Sequence, residues 1–299
     1  VRASGDIHGD LLALDTVLGE RRLALRLGGW EIVVEGIDAD LSRRLGLRWG
    51  GFVAPPGHHQ PRLRLRLFEG ESRTGLGAWD GAAAYALEPY PDERGLMVRS
   101  HHFALAPDPA GAGAWRAAIV RTELEAIDRI VENVVRYLVC RLAIEDGGLG
   151  LHGAGVLRRG MAYVFAGPPE SGKTTASGLS PDAVSLGDDF AVVVPGDDGW
   201  RTFAVPFDNS EQAPADPPRG FLSLAGVWRL YHASSARVES LTPTGATASL
   251  MGCVAFPWAV PDLSDRVLEN AGRFVAESFF ANLHFRREPD FWPLIESPR

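Results

Sequence analysis

Residues 161–194 read MAYVFAGPPESGKTTASGLSPDAVSLGDDFAVVV, and the rest of the chain is organised around them. Met161 to Ala166 is an apolar run of strand length. Gly167, four further residues and Gly172-Lys173-Thr174 then complete the spacing G-x-x-x-x-G-K-[ST]. Glycine at both ends lets the backbone fold back so that successive N–H groups point at an anion, and the helix that follows adds the positive end of its dipole. The pattern predicts a phosphate cradle made of Gly167, Pro168, Pro169, Glu170, Ser171, Gly172, Lys173, Thr174 and Thr175. Lys173 would put a point charge on the β- and γ-phosphates of ATP, and the Thr174 hydroxyl would ligate Mg²⁺. The chain has one lysine among its 30 lysine and arginine residues, and it is Lys173. A chain that uses the bulkier, planar guanidinium everywhere else still needs a slim ammonium inside a tight phosphate loop.

Downstream, Pro181 stops a short helix, Ala183 to Leu186 reads as a strand, and Gly187-Asp188-Asp189 follows before a second strand from Phe190 to Val194. Two acids at a strand end can divide the work, one holding the metal and the other taking a proton from an incoming hydroxyl. Asp197-Asp198-Gly199 is acidic too, and reads as a solvated turn.

GPPESGKTT followed by LGDD, with Leu151-His152-Gly153-Ala154-Gly155-Val156 upstream, resembles the HPr serine kinase and ATP-dependent phosphoenolpyruvate carboxykinase superfamily. The resemblance is specific from Leu151 to Phe190. It implies an α/β, P-loop domain of that superfamily at residues 116–299, and the residues before it, 1–115, read from their own patterning as a β-rich domain. It also implies Asp188 as general base, Asp189 as Mg²⁺ ligand and His152 near the phosphoryl-transfer site. The activity implied is transfer of the γ-phosphoryl of ATP to a serine-type hydroxyl on a protein, a peptide or a small molecule. Two alternatives stand beside it, a carboxykinase-like enzyme and an ATP-binding scaffold that transfers nothing.

A net charge of −8 and a pI near 5.5 disfavour non-specific binding to nucleic acid or to an anionic membrane. No apolar run reaches spanning length, and no charged and apolar leader opens the chain, so the reading is cytoplasmic, with a homo-oligomer left open. Cys140 and Cys253, far apart and each in apolar surroundings, predict two buried thiols.

Gly5-Asp6-Ile7-His8-Gly9-Asp10 resembles the first motif of metallophosphoesterases, but that chemistry needs later ligand blocks that the chain lacks. A loop and helix without that function is expected there. Residues 22–110 read as β-rich. Gly28-Gly29 would turn a hairpin, and Leu63, Leu65 and Leu67 alternate with Arg62, Arg64 and Arg66 as one apolar and one wet face, suited to an edge strand. His58-His59 and His101-His102 lack the carboxylate or thiol company of a metal site. Residues 107–114, PDPAGAGA, mark a boundary. Beyond it, Thr122 and Glu125 suggest a capping box, and Ile127, Ile130, Val131, Val134, Leu138 and Leu142 recur at helical spacing up to Gly147-Gly148. Later features are strands at Trp200 to Val205, Gly226 to His232 and Arg237 to Leu241, and a helix capped by Thr242-Pro243. A second helix runs from Ser264 to Phe280, with Val267, Leu268, Ala271 and Phe274 on one face. A last short strand leads to an aromatic turn at Phe291 and Trp292 that closes the core. The Pro-rich segment 208–218 is long enough to close over a ligand.

Overall fold

Gly28 permits the tight reversal that the sequence asks for. In the computed structural model, which describes residues 6–55, 57, 60–70, 76, 86–207, 214–256 and 259–296, its φ is +59°. It returns β1 (Arg21–Leu27) antiparallel onto β2 (Trp30–Ile37), with Leu27 opposite Trp30. The fold is mixed α/β, and its described residues fall into two compact units. One holds residues 6–138, 214–215 and 259–262, and the other holds 139–207, 216–256 and 263–296.

In the first unit β1 and β2 are joined by β3 (Val53–Ala54), β4 (Leu63–Glu69), β5 (Glu88–Asp92), β6 (Gly95–Arg99), β7 (Phe103–Pro107) and β8 (Ala114–Ile119). Among the described residues the order is β3-β1-β2-β4-β8-β7-β6-β5. Leu63, Leu65 and Leu67 are buried and Arg62, Arg64 and Arg66 exposed, as their alternation predicts. Yet β4 lies between β2 and β8, so the arginine row is not an edge guard; Arg64 instead reaches across to Glu35 on β2 at 3.5 Å. Residues 107–114 carry no boundary either, because they form the turn that brings β8 back beside β7. The expected division at 115/116 falls inside β8, whereas the units part at Leu138/Val139.

Helices complete this unit. The first, α1 (Ile7–Leu12), is capped by Asp6, whose carboxylate accepts from the Gly9 amide at 2.9 Å. The second, α2 (Ala39–Trp49), starts at Asp38, which accepts from the Leu41 amide at 2.8 Å. It buries Leu41, Leu45 and Trp49, one turn apart. The third, α3 (Ile127–Glu145), belongs to this unit up to Leu138 and to the other from Val139, and it buries every apolar position that its spacing marked. It begins at Ile127 rather than beside Thr122, whose hydroxyl caps a local turn at the Leu124 amide. Arg48 of α2 reaches Asp128 of α3 at 2.7 Å and Glu132 at 3.8 Å, and all three are buried, so these charges are stable there only as a set.

The second unit contains β9 (Leu149–Leu151), β10 (Gly153–Arg158), β11 (Met161–Ala166), α4 (Lys173–Gly178), β12 (Val184–Gly187), β13 (Ala191–Gly196) and β14 (Gly199–Thr202). It continues with β15 (Leu222–His232), β16 (Arg237–Glu239), α5 (Pro243–Met251), α6 (Ser264–Glu277), β17 (Phe280–Phe285) and α7 (Trp292–Glu296). β15 pairs parallel with β11 on one side and with β17 on the other. β12 is antiparallel to β10, and β10 to β11, so β12 runs the same way as these three. The chain therefore leaves β12, β11, β15 and β17 at one edge of the sheet. Loops at the carboxyl ends of parallel strands are where open α/β sheets hold ligands.

Tyr163, Phe165, Trp228, Phe285, Phe291 and Trp292 form this unit's aromatic core, with Trp292 edge-on to Tyr163 at 5.0 Å between centroids. The terminal aromatic turn thus closes the core, as its apolar bulk predicts. Leu268, expected on the packed face of α6, is 57% exposed, while Val267, Ala271 and Phe274 are buried. Both cysteines are free and buried. Burial pushes the Cys140 thiol up to about 12 and the Cys253 thiol up to about 11, so neither supplies a reactive thiolate. No helix among the described residues is long and apolar enough to cross a membrane.

Candidate functional site

At the end of β11 the backbone leaves through Gly167, at φ +155°, and re-enters a helix through Gly172, at φ +96°. Both glycines are sterically required. A Cβ on Gly167 would lie 2.6 Å from Ser171 Oγ, and one on Gly172 would lie 2.7 Å from Phe285 Cζ and 3.1 Å from His232 Cε1. Glu170 also takes a left-handed φ of +66°, and its carbonyl meets His232 Nε2 at 3.0 Å. The His232 ring stacks on Phe285 at 5.8 Å, so the loop rests on a pair of rings anchored at the ends of β15 and β17. Gly172→Ala is expected to lower both Tm and nucleotide affinity, because alanine meets a forbidden φ and an occupied space together. Gly178→Ala, whose Cβ would meet nothing within 4 Å, should change neither; thermal denaturation and nucleotide titration of the two variants check this.

Lys173 is buried at 8% exposure, and its ammonium donates to the Gly167 and Pro168 carbonyls, each at 3.1 Å. Two of its three donors are thereby held at the mouth of the loop, which leaves one. Ser171 Oγ is buried with no hydrogen-bond partner among the described residues, one polar atom of the loop still unmatched. Thr174 Oγ1 donates to Asp188 Oδ2 at 2.8 Å, so the first of the paired acids is fastened to the loop's hydroxyl. Gly187, at φ +136°, turns the chain out of β12 so that both acids face the same space. Pro169, Glu170, Gly172, Lys173, Thr174, Thr175, Asp188 and Asp189 line one cavity of about 440 Å³.

No family model and no curated protein matches this chain. The oxygens of Thr174 and the two aspartates are of the kind that Mg²⁺ takes alongside phosphate oxygens and water. With two glycines whose Cβ positions are filled and an unmatched hydroxyl in the loop, the donor set fits a polyphosphate with its metal.

His152 is placed differently from the rest. Its amide donates to the Cys253 carbonyl at 2.8 Å, its carbonyl accepts from the Gly167 amide at 3.0 Å, and its ring tilts against Phe256 at 6.3 Å. It is not among the residues lining the cavity, and its main chain fixes where the loop begins. His232 and Arg287, which do line the cavity, have no local motif to announce them. Only the parallel pairing of β15 with β11, and of β17 with β15, brings them there. Asp208 to Ala213, within the segment expected to close over a ligand, lie outside the described residues, as do His58 and His59.

In the first unit, Asp6 and His8 of the phosphoesterase-like segment face Arg94 and Asp92. Arg94 donates to Asp6 at 2.5 Å and to Asp92 at 2.6 Å, and His8 Nδ1 lies 3.0 Å from Asp92. The Arg94 guanidinium, helped by the Gly9 amide, holds the Asp6 carboxyl down to about 2. These groups tie α1 to the hairpin of β5 and β6.

Proposed function

We propose that this chain is an ATP-dependent kinase of the HPr serine kinase type, which passes the γ-phosphoryl of ATP to a serine-type hydroxyl. The observation that supports it best is the meeting of the 167–172 loop, the one lysine of the chain, Thr174 and two aspartates in a single cavity at one sheet edge. The order of His-Gly strand, phosphate loop and paired-acid strand supports assigning the second unit to the P-loop domain of that superfamily.

In this reading the backbone from Gly167 to Thr175 holds the phosphates, and the remaining donor of Lys173 bridges β and γ. Thr174 and Asp188 would hold Mg²⁺, which neutralises charge on the phosphates. The hydrogen bond between those two residues favours this order over the one the resemblance implies. It turns a Thr174 lone pair outward and sets an oxygen of Asp188 beside it, so that these two oxygens can meet one ion, and Asp189, on the same cavity, would take the proton of the acceptor hydroxyl. The acceptor oxygen then bonds to the γ-phosphorus as the bridging bond to ADP breaks. His152 acts through its main chain, by fixing the start of the loop.

The test is to incubate the protein with γ-labelled ATP, Mg²⁺ and fractionated cell extract. Label is expected in a protein, peptide or small molecule as an acid-stable hydroxyl ester. Label found only in ATP or free phosphate, across all fractions, would sink the proposal.

A further inference from the structure

We propose that Arg287 grips the diphosphate portion of the nucleotide, the part that leaves as ADP, from the flank opposite the acidic pair. This rests on the ATP reading above. β17 ends at Phe285, whose buried ring is held against Phe291 and stacked on His232, so the point where the chain leaves the sheet is fixed. Two arginines follow, with different fates. Arg286 is committed to Glu288 at 2.8 Å and to Asp290 at 3.0 Å. Arg287 is exposed, lines the cavity, and makes no ion pair or hydrogen bond among the described residues.

Strand order says which part of a ligand it meets. The sequence β12-β10-β11-β15, with β17 beyond β15, puts the phosphate loop in the middle of the edge. Asp188 and Asp189 stand two strands to one side of it and Arg287 two strands to the other, about 10 Å away at the backbone in each direction. A γ-phosphate drawn toward the metal ligands and the base lies on the β12 side, so the remaining phosphates extend toward β17. Charge argues the same way. Glu170, Asp188 and Asp189 face the cavity, and among the described residues Lys173 is the one other lysine or arginine on its lining. That ammonium has already given two donors to the Gly167 and Pro168 carbonyls. A guanidinium fork supplies paired donors to phosphate oxygens where negative charge grows as the bond to ADP breaks.

The experiment is calorimetric titration of wild type, Arg287→Ala and Arg287→Lys with Mg·ADP and with a non-hydrolysable Mg·ATP analogue. Arg287→Ala should weaken both nucleotides by a similar factor, about 10- to 100-fold, and Arg287→Lys should recover part of the loss. Both variants should melt with the wild type. Arg287→Ala binding both nucleotides within about threefold of wild type would overturn the inference. So would a loss confined to the triphosphate analogue, which would put Arg287 at the γ end. Wild type binding neither nucleotide would instead bring down the ATP reading itself.

Discussion

Lys173→Ala is expected to lower phosphoryl transfer by about a thousandfold or more, with acceptor labelling from γ-labelled ATP as the measurement. The loss should be this large because no second ammonium exists to move in. The site is 92% buried and its amine already bonds two loop carbonyls, so removal takes a donor from each of those carbonyls as well as the charge from the phosphates. Lys173→Arg should fail almost as badly, although it keeps the charge. The planar fork is wider than an ammonium and cannot occupy the space between the Gly167 and Pro168 carbonyls without opening the loop. A Lys173→Arg protein with near-normal transfer would mean that charge alone matters there, and that the tight cradle is not the working one.

The paired acids should separate in a second experiment. Asp188→Asn is expected to raise the Mg²⁺ concentration needed for half-maximal transfer by about tenfold or more, with partial recovery at high Mg²⁺. Asp189→Asn should leave Mg·ATP affinity within a few-fold of wild type and cut transfer by about 10²- to 10⁴-fold at any Mg²⁺ concentration. The physical ground is the 2.8 Å bond from Thr174 to Asp188, which ties that carboxylate to the hydroxyl proposed as a metal ligand. If the two variants exchange these behaviours, the order implied by the superfamily resemblance holds for this chain and the Thr174 bond has misled us.

The 167–172 loop, the paired acids and the long helix were legible because their determinants are local. Glycine positions, a lysine at a fixed spacing and a 3.6-residue period need no knowledge of what lies across the fold. The helix α2 was also written locally, in Asp38 followed by Leu41, Leu45 and Trp49, but its neighbourhood of strands concealed it. The division between units was misjudged for a different reason. Pro, Gly and Ala residues serve a hairpin turn as well as a linker, and only the pairing of β7 with β8 decides between them. His232 and Arg287 were illegible in principle, since each reaches the cavity through parallel strand pairing over long sequence separations. Leu268 shows the limit of periodicity itself. An apolar residue one step off the packed face of α6 counts in the pattern and remains in water.

The chain does not pass from one unit to the other once. It crosses within α3, returns at residues 214–215, and returns again at 259–262. Excision at 115/116 would tear a strand out of the middle of the eight-stranded sheet, and excision at 138/139 would halve a helix. Neither half can therefore be handled as a detachable cassette. Trading the front half for that of another protein, as one would with beads on a string, would leave both pieces incomplete.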